Sequence, residues 1–272
     1  MHPLGNIWFL TLLTLKEGIR HRALRAFFVL AGVLFVINLL VTELFSWDLT
    51  KVSIEFGLST VAFCGLLLIF VLGMKLMSDD LERHTIYFVL ARPVSRGQYV
   101  IGKYCGIGMI LLFATLILGA GSALSVKLTL WHYAAFVPPN FSWWTFLLAL
   151  GFQWLSLMVI LAISLFWFSY ASQSFTAILL SVFSYLVGQN MELLRGIDAA
   201  KKGVGEASLL KGIFWLVSWI FPNLSFFDMK VHAAYGLSVD YSEILWIIGY
   251  GLSYAGIILL LTILCFNRKD LG

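Results

Sequence analysis

The chain has 272 residues, 61% of them apolar and 12% charged, against roughly 45–50% apolar and about 25% charged in soluble domains. Apolar surface on this scale cannot be enclosed in one water-soluble domain, so the remaining solvent is lipid; a soluble enzyme, a disordered chain and a disulfide scaffold are excluded. The net charge of +4 reports orientation across a bilayer and not nucleic-acid binding, because spanning proteins gather Lys and Arg on the cytoplasmic side.

In chain order, Leu4 to Arg25 mixes apolar residues (Ile7, Trp8, Leu10, Leu12, Leu15, Ile19) with Lys16, Glu17, Arg20, Arg22 and Arg25. This predicts an amphipathic helix in the cytoplasmic interface, its charges among the headgroups, the alternative being a frayed N-terminal extension of the first span. A helix crossing the hydrocarbon core needs about 20 apolar residues at 1.5 Å each. That ruler places six spans at Ala26–Val41, Phe56–Leu76, Tyr99–Val126, Trp144–Phe168, Phe175–Gly188 and Ile244–Phe266. No Asp, Glu, Lys or Arg occurs from Leu128 to Met191. A single helix from Trp144 to Val187 would be about 66 Å long, so the chain must turn, and the polar stretch Ser169–Ser174 is where it does so. Between the last two spans, residues 191–243 form a long outer loop. Within it Gly212 to Phe221 is apolar but too short to cross, which predicts an interfacial or re-entrant segment closed by Pro222.

The termini and the loop after the second span hold eleven Lys and Arg, and the opposite side seven, which predicts both termini in the cytoplasm. Cys64, Cys105 and Cys265 lie in apolar segments without CxxC spacing and read as reduced, buried residues. The five histidines are scattered, no HExxH occurs, and no acidic pair lies mid-span. A metal site, a proton relay and an intramembrane enzyme therefore have no residues to carry them. Asn38 and Gln153 are polar within spans and read as interhelical hydrogen-bond partners. Gly102 with Gly106, Gly119 with Ala123, and Gly249 with Ser253 form small-residue faces suited to close helix packing.

The segment between spans two and three, residues 78–103, reads SDDLERHTIYFVLARPVSRGQYVIGK. Asp79 and Glu82 read as the start of a short helix over Asp80–Leu90, which Pro93 ends. Ser95 and Gln98 then form a capping box, with Val94 and Tyr99 as its staple. A helix from Arg96 to Val126 would be about 46 Å long against a core of about 30 Å, so two to three turns project from the membrane. From spacing alone this loop serves equally well as a charged cap on two helices or as a knob that passes force from a soluble partner into the bilayer.

This loop resembles the signature segment of ABC-2-type permeases, the membrane subunits of ATP-binding-cassette transporters. The matching positions are Glu82, Arg83, Thr85, Leu90, Pro93, Ser95, Arg96, Gly102 and Lys103; His84 stands where that family usually has Gly. Lys16, Glu17 and Arg20 resemble its elbow helix, and Phe221-Pro222-Asn223-Leu224 and Phe266–Leu271 its closing features. The resemblance implies an all-α, six-span, single-domain subunit (residues 1–272) of the bacterial inner membrane, working as a dimer with a second copy. It implies that an ATPase subunit couples through Asp79, Asp80, Glu82, Arg83, Thr85, Arg92, Pro93, Ser95, Arg96 and Lys103. The chain has no GxxxxGK[ST] phosphate loop, so ATP and Mg are expected on that partner, with no cofactor and no catalysis on this chain. The alternative is a membrane scaffold or assembly factor that docks a cytoplasmic partner without transport.

Overall fold

The computed structural model describes residues 3–44, 49–82, 95–132, 141–171, 173–193 and 220–268. Among them there is no strand. The helices are α1 (Pro3–Arg20), α2 (Arg22–Leu44), α3 (Leu49–Leu67), α4 (Met74–Glu82), α5 (Arg96–His132), α6 (Trp143–Tyr170), α7 (Ser174–Gln189), α8 (Lys230–Tyr235) and α9 (Tyr241–Arg268). A π-helical turn, Leu68–Gly73, joins α3 to α4 without a break. A 3-10 turn, Leu224–Phe227, precedes α8.

Among the described residues, five helical stretches are long and apolar enough to cross a membrane: Arg22–Thr42, Leu49–Ser78, Arg96–Trp131, Trp143–Tyr170 and Tyr241–Arg268. They correspond to five of the six expected spans. The remaining one, α7, has 16 residues, or about 24 Å, short of a core of about 30 Å. The turn expected at Ser169–Ser174 is present: α6 ends at Tyr170, where Ala171 turns to extended backbone, and α7 starts at Ser174.

Apolar side chains point both inward and outward, as they must when the outer solvent is lipid. Ile54, Leu58, Ile69, Leu111, Leu157 and Leu161 are fully buried where α3, its π turn, α5 and α6 meet. Val29, Val33 and Leu40 on α2 and Leu245, Leu260 and Leu264 on α9 are exposed. Hydroxyls and indoles join the helices within this core. Ser53 and Ser125 share a 3.2 Å hydrogen bond, and Trp167 Nε1 donates to Ser184 Oγ at 2.8 Å.

Several expectations are corrected. Asp79 and Glu82 do not start a helix, because α4 carries the preceding span through to Glu82; a capping signature marks a start only where the chain before it is not already helical. The rest of the helix expected over Asp80–Leu90 lies outside the described residues. The N-terminal amphipathic segment does not run unbroken to Arg25. It ends at Arg20, and Arg22 and Arg25 belong to α2. His21 makes the joint: its N–H donates to the Gly18 carbonyl at 3.1 Å, and its Nδ1 accepts from the N–H of Ala23 at 3.2 Å, serving an otherwise orphaned donor of α2. Asn38 is buried, but its partner is on its own helix, Thr42 Oγ1 donating to its carbonyl and side-chain oxygens at 2.8 and 3.4 Å.

Of the outer loop, residues 194–219 lie outside the described residues, and with them most of the Gly212–Phe221 run. The part that follows packs on α9: the Asn223 N–H donates to Tyr250 Oη and Tyr254 Oη to the Ile220 carbonyl, both at 2.8 Å. Gly236 ends α8 in the left-handed region, φ 64°, which a glycine adopts without steric penalty.

Candidate coupling surface

The start of α5 gathers the chain ends around it. Gln98 N–H donates to Ser95 Oγ at 3.3 Å and Ser95 N–H to Gln98 Oε1 at 3.1 Å, the reciprocal pair of a capping box. One residue on, Arg96 Nη1 donates to the carbonyls of Phe266 and Asn267 at 3.0 and 3.2 Å. A guanidinium there satisfies carbonyls that the end of α9 leaves without intrahelical partners, and its charge opposes the helix dipole. Tyr99, fully buried, stacks on Phe266 with ring centroids 5.7 Å apart. The expected staple partner Val94 lies outside the described residues.

On its other side α5 receives α1. The two run in the same direction, with Leu10, Thr14 and Gly18 of α1 stepping alongside Gly102, Gly106 and Ile110. A Cβ on Gly102 would lie 2.6 Å from Leu10 Cβ, and one on Gly106 2.6 Å from Thr14 Cβ and 3.0 Å from the Thr11 carbonyl. The small-residue face read from the sequence is therefore the seat of α1, which lies along α5. Thr11 Oγ1 donates to Ile7 O at 2.9 Å and lies 3.4 Å from Gly102 O. Lys103, only 6% exposed, places Nζ 3.4 Å from Glu17 Oε2, which is 39% exposed. Lys16 and Arg20 face outward, as do Trp8, Leu12 and Ile19.

The end of the second span joins the same cluster. Ser78 Oγ and Ser174 Oγ share a 2.9 Å hydrogen bond that ties α4 to the start of α7. Leu76 and Ile110 both approach Gly18 of α1. Asp79, Asp80 and Glu82 occupy the last turns of the α4 backbone. Arg83, Thr85, Arg92 and Pro93 lie outside the described residues, as does the family-variant position His84. Ser95 and Arg96 thus meet the C-terminus of α9 at the start of α5, Lys103 and Glu17 pair about two turns further along it, and the end of α1 that carries Lys16 and Arg20 lies beside Ile110, about four turns from Arg96. Sequence reasoning missed Tyr99 as a contact to Phe266, Ser174 as the partner of Ser78, and the α9 carbonyls as the target of Arg96.

The sequence profile of the ABC-2 family transporter proteins matches residues 13–271. The chain belongs to the ABC-2 transporter family. A curated relative, the "Probable ABC transporter permease protein NosY" of Stutzerimonas stutzeri, is 30% identical over 129 residues, 46% of this chain and 47% of that protein. The match therefore spans about half the length of the curated relative. With five apolar helices of spanning length among the described residues, this ABC-2 protein is a multi-pass membrane protein of the ABC transporter class.

Proposed function

We propose that this ABC-2 subunit receives mechanical work from a separate ATPase at residues 78–103 and transmits it into the membrane as substrate export or extraction. Asp79, Asp80, Glu82, Arg83, Thr85, Arg92 and Pro93 would contact the ATPase. Ser95, Arg96 and Lys103 pass the displacement on, and α1 with Lys16, Glu17 and Arg20 serves as the elbow helix. One observation carries the reading. The first two turns of α5, which directly follow the loop, are bonded at once to α1 through Lys103–Glu17 and to α9 through Arg96 and Tyr99. A push on this loop therefore reaches both terminal helices of the chain.

In this reading α7 is the fifth of six crossings, its shortness met by local thinning of the bilayer. Both termini face the cytoplasm of a bacterial inner membrane, and the subunit works as a dimer. ATP and Mg bind the partner.

The test is ATP turnover by the co-purified ATPase, with and without this subunit, in reconstituted membranes. Glu82→Ala and Pro93→Ala should leave the complex assembled and uncouple turnover from it. Unchanged turnover in both variants would point to a passive dock and overturn the proposal.

A further inference from the structure

Between α6 and α9, at the end of α9 remote from Arg96, two cavities run into one another. The first, about 560 Å³, lies where both helices start, and the hydroxyl-bearing residues Ser142, Thr145, Ser238 and Tyr241 are among those that line it. The second, about 430 Å³, follows the same two helices further along their length, with Gly151 and Leu155 on one wall and Ile248 and Leu252 on the other. Trp144 and Leu148 line both, so they form one crevice. Because both starts line the first cavity, α6 and α9 are parallel here.

The crevice divides by chemistry along the helix axis. Its polar end holds four hydroxyl-bearing residues, among them Thr145, 8% exposed. Its far end has no charged lining among the described residues. From Trp144 to Leu155 on α6, or from Tyr241 to Leu252 on α9, is about 16 Å at 1.5 Å per residue, close to half of a hydrocarbon core of about 30 Å. A groove one leaflet deep, with hydroxyls at the helix starts and apolar walls below, has the dimensions and polarity of a single lipid. Gly151 gives the groove its floor, since a Cβ there would meet nothing within 4 Å.

We infer that this crevice binds one phospholipid with a zwitterionic head. An acyl chain fills the apolar half, and the phosphate ester oxygens accept hydrogen bonds from the hydroxyls of the polar half. Among the described residues, no Lys or Arg lines the crevice to select a net anionic head. Asp240 and Glu243, exposed at the start of α9, repel an anionic head and attract the ammonium of a zwitterionic one. A second copy of the chain has no such division to match, because a helix laid in the groove would place its own apolar face against the hydroxyls.

The inference is independent of the coupling proposal and is tested without an ATPase. The full chain in detergent is titrated with phosphatidylethanolamine and separately with phosphatidylglycerol, and retention is read by native mass spectrometry. A phosphatidylethanolamine with a diazirine in its acyl chain is then photolysed and the adducts mapped. Saturable retention of a single phosphatidylethanolamine is expected, with adducts concentrated on residues 144–155 and 245–252. Phosphatidylglycerol should bind about tenfold more weakly.

Gly151→Phe fills open space and should weaken retention about tenfold. Gly256→Phe, at another glycine with nothing within 4 Å and outside the crevice, should leave it unchanged. Thr145→Val combined with Tyr241→Phe should lower affinity for the head while keeping the adduct positions. Adducts spread evenly over the exposed faces of α2 and α9 would mean bulk lipid contact only. That result, equal retention of the two lipids, or a second copy cross-linked in the groove would each overturn the inference. The adduct map on the unsubstituted chain decides the matter even if Gly151→Phe does not fold.

Discussion

At Gly102 and Gly106 the missing methyl group decides how closely two helices approach. Both hypothetical Cβ positions fall 2.6 Å from a Cβ of α1, and at Gly106 the Thr11 carbonyl is also within 3.0 Å, so relief requires moving backbone and not only a side-chain tip. Overpacking of this kind costs about 1–3 kcal/mol. Gly106→Ala should therefore lower the thermal unfolding midpoint of the detergent-solubilised chain. Gly256→Ala, with nothing within 4 Å, should leave it unchanged or raise it by the helix preference of Ala, up to about 1 kcal/mol. The Lys103–Glu17 pair is asymmetric in the same sense. Lys103 is 6% exposed and Glu17 39%, so Lys103→Ala removes a packed stem as well as a charge, whereas Glu17→Ala loses a partly solvated ion pair worth about 0–1 kcal/mol. The same unfolding measurement should rank Lys103→Ala as the more damaging; the reverse order would mean that burying the Lys103 ammonium without Glu17 costs more than losing its stem.

At the scale of elements, the end of α9 is held by a residue that belongs to another helix. Arg96 donates to the carbonyls of Phe266 and Asn267, and a cation at a helix C-terminus contributes about 0.3–1 kcal/mol. Arg96→Ala should speed amide hydrogen exchange in the last turn of α9 and leave its middle, near Ala255, protected, with little change in global unfolding. Loss of protection along the whole of α9 would show instead that Arg96 holds the helix in place. What could be read from sequence follows the range of each interaction. The Ser95–Gln98 box was legible because both halves lie within one turn, and the break at Ser169–Ser174 because helix length is arithmetic. The Gly102–Gly106 face was legible as a packing surface, but its occupant α1 was not, since small residues specify closeness without specifying a partner. Arg96 and Phe266 are 170 residues apart, and no local pattern joins them. Asp79 was misread for the opposite reason: a local signature was taken at face value inside a helix whose continuity is set by the span before it.

On the scale of the whole molecule, packing is uneven in a way that predicts which parts move together. Helix α1 is seated on α5 by glycine contacts, an ion pair and a threonine hydroxyl. Helix α2 has only 22% of its spanning window buried, and a cavity of about 260 Å³ separates it from α3 and α5 near Gly32 and Gly121. The joint between α1 and α2 is the single residue His21. Tightly interdigitated surfaces transmit strain, whereas a loosely filled one has room to change. If the α5 start receives the ATPase stroke, α1 should travel with it as one body and α2 should shift against them. In a background with Cys64, Cys105 and Cys265 replaced, a thiol-reactive cross-linker long enough to replace both side chains between Glu17→Cys and Lys103→Cys should therefore leave coupled ATP turnover near that of the unbridged protein. A bridge between Phe35→Cys and Gly121→Cys, positions where a Cβ on Gly121 would lie 3.7 Å from the Phe35 ring, should suppress that turnover and restore it on reduction. Inhibition by the α1–α5 bridge would place the moving boundary between those two helices. Full activity with the α2–α5 bridge would mean that α2 is carried along and that the cavity beside it is static packing space.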